Sequence, residues 1–122
     1  MNPFTISKLL IRVGLALGLG LMSLLPALAQ QDEVWIDVRS AREYRQGHVE
    51  EAINIPHGEI GHKVLQLVPD TFVEVHLYDA SLGTFAGLAL ELMMEMGYQA
   101  VINEGSYEQV LQRKAQQADA GQ

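Results

Sequence analysis

Between Val34 and Gln116 the chain alternates short apolar runs with stretches whose apolar residues recur at helical spacing. Val34-Trp35-Ile36-Asp37-Val38 is a run of the length of a central strand. Ser40-Ala41-Arg42-Glu43 has capping-box form, a Ser followed three residues on by Glu, and starts a brief helix. Gly47 ends that helix in the left-handed conformation that glycine alone adopts cheaply. Ala52 to Ile55 reads as a short strand stopped by Pro56, and Ile60, Val64, Leu67 and Val68 predict a helix between Gly58 and Val68. Val73, Val75, Leu77 and Tyr78 predict a buried strand, Asp79 to Gly83 breaks the pattern, and Thr84 to Met96 is a Pro-free helix closed by Gly97. Ala100 to Asn103 is a further strand, and Tyr107 to about Gln116 a last helix. Strands alternating with helices in so short a chain predict an α/β layer fold with a mostly parallel sheet.

The helix after Gly83 is apolar nearly all round. Phe85, Leu88, Leu92 and Met96 share one stripe with Ala89 beside it; Leu90, Met93 and Met94 extend the apolar surface, and Glu91 and Glu95 form the wet face. Such a helix is either sandwiched in a core or offers an exposed patch. Methionine suits both, as a core gap-filler and as an adaptable contact for partners.

Residues before the first strand belong to a different class. Met1 to Ala29 carries Lys8 and Arg12, then an uncharged apolar run, then Ala27-Leu28-Ala29, the form of a secretory signal peptide cleaved before Gln30. The other reading is an uncleaved membrane anchor; Gly14, Gly18, Gly20 and Pro26 suit a signal peptide better. The predicted organisation is therefore a signal peptide over 1–29, one domain over 30–112 and a polar tail over 113–122, in a periplasmic or secreted protein. Without Lys8 and Arg12, 6 basic residues face 15 acidic ones, a net charge near −9. That excess of negative charge argues against nucleic acid as a partner, and against membrane contact other than through the signal segment. With no Cys there are no disulfides and no thiol chemistry, and a lipid anchor at the cleavage point is excluded.

In an open parallel sheet, ligands bind past the carboxyl end of a strand, where the next helix presents unpaired N–H groups. This places the candidate binding loop at Asp79, Ala80, Ser81, Leu82, Gly83 and Thr84, a turn without Cys, His, Lys or Arg.

Asp37-Val38-Arg39, Glu43-Tyr44, Gly47-His48-Val49 and Ala52-Ile53-Asn54-Ile55-Pro56 together resemble the N-terminal signature of rhodanese-like domains. Leu77-Tyr78, Met96-Gly97-Tyr98 and Val101-x-Asn103-x-Gly105 resemble the second half of the same family. The resemblance implies the rhodanese fold, a mostly parallel five-stranded sheet with helices on both faces. It also implies a sulfurtransferase site in which a Cys opens a C-x-x-G-x-R loop, its thiolate taking sulfur from thiosulfate. Here Asp79 stands at the Cys position, neither Thr84 nor Phe85 can replace the Arg, and the loop is one residue longer. A carboxylate cannot carry a persulfide and would repel thiosulfate, so the family chemistry is excluded and no residue is assigned a catalytic role.

At a helix N-terminus a carboxylate can accept backbone hydrogen bonds, so Asp79 is expected to fill the anion cradle from within. Its rival role, an aspartyl nucleophile, needs Mg²⁺ or a basic residue that the loop does not supply. His48, His57, His62 and His76 lack metal-ligand spacing; a zinc site from two of them plus Asp79 would need further convergent ligands, and neither metal nor cofactor is assigned. Glu43 is expected as a helix cap and Arg39 as the partner of an acid, with a cleft contact to an anion as Arg39's alternative. The resulting expectation is an exported, non-catalytic rhodanese-like domain, a binding or structural module for an unidentified protein or small-molecule partner. The alternatives are an enzyme of altered chemistry at the same cleft, using Asp79 or a metal, and a partner-binding module using the Met-rich helix.

Overall fold

The computed structural model describes residues 32–121, so the signal segment predicted over 1–29 lies outside the described residues. Four strands, β1 (Glu33–Asp37), β2 (Ile53–Asn54), β3 (Glu74–Asp79) and β4 (Val101–Ser106), pair in parallel in the order β2-β1-β3-β4. Helices α1 (Ala41–Gln46), α2 (Ile60–Leu67), α3 (Thr84–Glu95) and α4 (Tyr107–Ala120) connect or follow them, and a 3-10 turn at His57–Glu59 leads into α2. The sheet thus has four strands among the described residues, not the five implied by the resemblance, because the sequence supplies only four runs of strand character.

Boundaries moved for identifiable reasons. Pro56 has no N–H to donate, so β2 ends after two residues. β4 runs past Asn103 to Ser106, and its polar half carried no strand signal because this edge strand leaves Asn103 exposed and Glu104 half-buried. α4 runs on to Ala120, four residues past the end expected near Gln116: Gln112 to Ala120 contains neither Gly nor Pro and is built largely of good helix formers. Both predicted or latent capping boxes form. Ser40 and Glu43 cap α1, and Ser106 and Gln109 cap α4. Gly47 has the positive φ expected of it (+150°), but with ψ 139° it lies outside the left-handed helical region, in a conformation that only glycine adopts readily.

Strand alternation divides the core into two. Val75 and Leu77 of β3, with Val34 and Ile36 of β1, pack against Ile60, Val64, Ala86, Ala89 and Met93 of α2 and α3. Tyr78 and Trp35, on the opposite face, pack with Val49, Ala52, Tyr107 and Val110. The helices therefore lie on both faces. The buried stripe of α3 is Ala86, Ala89 and Met93, whereas Phe85, Leu88 and Leu92 are 39%, 57% and 38% exposed. Of the two readings the sequence left open, the exposed patch is the one found along the Phe85, Leu88 and Leu92 stripe. A helix apolar all round gives periodicity nothing to choose by, and the small alanines take the sheet side because they let the helix approach closely. Met93 is core, and Met94 alone of that pair is exposed.

A polar network joins the two central strands. The buried Asp37 carboxylate accepts from the backbone N–H, Nε and Nη2 of Arg39 and from Tyr78 Oη, at 2.7–3.1 Å. Tyr78 Oη in turn accepts from Val49 N–H at 3.0 Å. Burial, reinforced by the hydrogen bond to Asp37, pushes the Tyr78 phenol far above its usual range, so it remains a donor at every working pH. Replacing Tyr78 by Phe would leave the Val49 amide unpaired in the interior. The expected loss is about 1–3 kcal/mol of unfolding free energy, read as a lower urea midpoint at unchanged slope.

Candidate functional site

β3 ends at Asp79, and the polypeptide turns through Ala80–Gly83 before entering α3. The Asp79 side chain folds back into this turn and is 1% exposed. Its Oδ1 accepts from Ser81 N–H at 2.8 Å and Gly83 N–H at 3.0 Å, and its Oδ2 accepts from Ala86 N–H at 2.9 Å. Gly83 is the N-cap of α3 and has no side chain to cap with; Asp79 supplies the missing acceptor from the preceding strand. The carboxylate also lies at the positive end of the helix dipole, which favours its charge.

Gly83 is required by both backbone and space. Its φ is +88°, and a Cβ there would fall 2.7 Å from Asn103 Oδ1. Asn103 Nδ2 donates to Gly83 C=O at 2.8 Å, while Asn103 Oδ1 accepts from Gly105 N–H. β4 thereby clamps the loop. Of the six residues predicted to line the site, Asp79 and Gly83 are buried, and Ala80, Ser81, Leu82 and Thr84 are exposed. Leu82 stands at the tip, 82% exposed and at φ +42°, an uncommon conformation for a residue with a side chain.

The other sequence candidates are dispersed. Arg39 is paired with Asp37; its Nε and Nη2 are committed to that carboxylate and to Gly47 C=O, and its guanidinium lies 4.2 Å from the Tyr107 ring centre. Those donors face the interior rather than an anion in the cleft. Glu43 caps α1, and the hydrogen bonds from Ser40 hold its carboxyl below the usual range. His48 stacks on Tyr44, with Nδ1 2.8 Å from the Tyr44 carbonyl; His57 stacks on Phe85; His62 is exposed on α2. Two histidines with Asp79, the zinc arrangement weighed from the sequence, do not form a cluster among the described residues. His76 instead lies with Glu33 and Glu74, all ligand atoms within 4.8 Å of one another. The sequence signal for that grouping was Glu74-x-His76, a two-residue spacing that puts both on one face of a strand. Asn103 was visible only as part of a motif; its role as a clamp depends on a contact 20 residues away.

A family model for the rhodanese-like domain matches residues 23–113. The chain belongs to the rhodanese-like domain family. It is 40% identical over 98 residues to thiosulfate sulfurtransferase PspE of Escherichia coli K12, covering 80% of this chain and 91% of that protein. Among solved structures it is similar to a rhodanese with anions from E. coli, with 42% identity, a TM-score of 0.60, and coverage of 63% of this chain and 89% of the other. The human single-domain sulfurtransferase TSTD1 matches at 25% identity and a TM-score of 0.59, covering 76% and 90%. The domain shares the fold of these sulfurtransferases and has no cysteine anywhere in its sequence.

Asp79→Ala would strip the acceptor from three amides at once. The expected cost is about 1–3 kcal/mol, measured by urea unfolding, and sulfate should restore part of it by occupying the emptied cradle. The unaltered protein should show a smaller response to sulfate in the same measurement.

Proposed function

We propose that this protein is an exported, non-catalytic rhodanese-like domain that acts by binding, its anion cradle filled by its own side chain. The observation that carries the reading is the Asp79 carboxylate, buried and accepting three loop amides. Those amides are the groups that would hold an incoming anion. With a carboxylate among them, thiosulfate meets like charge; two unit charges 4 Å apart repel by about 4 kcal/mol at an effective dielectric of 20. No thiol is present to accept sulfur. The same geometry disfavours Asp79 as a nucleophile, since both oxygens are engaged and no Lys or Arg stands in the loop to neutralise a substrate.

Two further features support the reading. The N-terminal pattern over Met1–Ala29 supports export. Leu82, Phe85, Leu88 and Leu92 expose apolar surface along the loop tip and α3, and such surface marks contact with a protein partner more often than chance.

A thiosulfate–cyanide sulfurtransferase assay on the purified protein should give background turnover. Turnover well above a no-protein control would overturn the proposal. Asp79→Cys should also stay at background, because the longer loop and the missing Arg remain. Mass spectrometry of exported material should find a mature N-terminus at Gln30; an intact Met1 terminus in the membrane fraction would support the anchor reading instead.

A further inference from the structure

We propose that His76, Glu74 and Glu33 form a binding site for a zinc-class divalent cation, on the sheet face covered by α4. Glu33 and Glu74 are register partners on β1 and β3, and Trp35 and His76 are the next partners on the same face. His76 Nε2 lies 2.9 Å from Glu74 Oε1 and 3.3 Å from Glu33 Oε2.

The imidazole is the observation that makes this more than a pair of surface acids. Its side chain is 9% exposed, and Nε2 is buried without a hydrogen-bond partner. At 2.9 Å from a carboxylate oxygen, distance is not what prevents a hydrogen bond; the direction is wrong. Nε2 therefore faces the two carboxylates without donating to either, as a ligand lone pair does when a cation sits among three donors.

The surroundings hold the ring in the orientation a metal requires. His76 Nδ1 lies 2.7 Å from Glu104 Oε1, and Arg113 Nη2 holds the other oxygen of Glu104 at 2.8 Å. A carboxylate accepting from Nδ1–H sets the ring orientation and reserves Nε2 as the atom that can ligate, the outer-shell arrangement of metal-bound histidines. Trp35 stacks on the imidazole with centroids 4.5 Å apart and planes 8° apart. Glu33 Oε1 accepts from Trp35 Nε1–H at 3.2 Å, which leaves Oε2 turned toward His76. The nearby cations are engaged elsewhere: Lys114 with Glu51, Arg113 with Glu104. Glu33 and Glu74 thus bring two negative charges to one point with no Lys or Arg paired to them among the described residues.

One imidazole nitrogen and two carboxylates suit zinc, whereas calcium and magnesium prefer all-oxygen shells. Three protein ligands leave a coordination position for water. A cavity of about 280 Å³, lined by His76, Trp35, Glu104, Arg113 and Lys114, gives that water room.

Calorimetric titration of the purified protein with zinc chloride alone should show one saturable equivalent per chain. Trp35 is the single tryptophan, so Cu²⁺ bound at His76 should quench its fluorescence, and a large molar excess of zinc should relieve part of the quenching, copper being the tighter binder at such a site. Glu33 and Glu74 have side chains about half exposed, 54% and 49%, so the double variant Glu33→Gln/Glu74→Gln should keep its urea midpoint. It should lose zinc binding by well over 10-fold. Glu104→Gln should weaken binding about 10- to 100-fold, as loss of outer-shell partners does. Absence of a saturable heat, Trp35 emission indifferent to Cu²⁺, or equal zinc affinity in the double variant would each overturn the proposal.

Discussion

The constraint that shapes this molecule is the need of three buried or partly buried amides, on Ser81, Gly83 and Ala86, for an acceptor. A helix that begins just past a strand turns its first N–H groups toward the loop, and burying them unpaired costs more than any neighbouring contact returns. In a binding loop that acceptor is the ligand, and water stands in when the ligand leaves. Here a side chain from the strand itself performs the task permanently. The loop conformation fits it: positive φ at Gly83 turns the chain from an N–H bonded to Oδ1 into α3, and Asn103 reaches across from β4 to hold the Gly83 carbonyl. Leu82 is left at the tip with nothing to bury it.

A second carboxylate performs the equivalent task one strand away. Asp37 ends β1 as Asp79 ends β3, and it too is fully enclosed by donors. Its partners are different in kind. Arg39 neutralises the charge directly, and Tyr78 connects it to the backbone at Val49, so the turn after α1 is fastened to the centre of the sheet. Removing one partner of such a buried pair is costly because the other is left charged. Each central strand therefore finishes in an acid with both oxygens hydrogen-bonded, one chiefly by an ion pair and the other by a helix N-terminus and its loop.

Much of this was legible in the sequence, and the parts that were not share a cause. The strands, the α1 capping box and the placement of the loop rest on local pattern, and local pattern was enough. Asp79 could be read as an internal counter-ion because a carboxylate at a strand end, before a helix and far in sequence from any base, has few other ways to be satisfied. The buried side of α3 was not legible because Phe85, Leu88 and Leu92 look at least as much like core as Ala86 and Ala89 do; close packing against a sheet selects for small size, which hydrophobicity does not report. β4 was cut short because an edge strand has no second neighbour to bury its polar end. The grouping of Glu33 with His76 depends on the register of β1 against β3, and register is a tertiary fact.

The two-residue period of β3 also explains how one strand presents two unrelated clusters of polar side chains. Residues 75, 77 and 79 turn toward α2 and α3, and 74, 76 and 78 toward the α4 side. The filled cradle and the His76 cluster therefore lie on opposite faces of the same sheet, with Leu77 and Tyr78 between them in sequence. No side chain contributes to both. Substitutions in the loop can abolish or restore an anion site without touching the cation ligands, and a cation held by His76 would cross-link β1 to β3 without altering the loop. A scaffold arranged in this way keeps the loop at the end of a strand structurally independent of the surface on the sheet's other face.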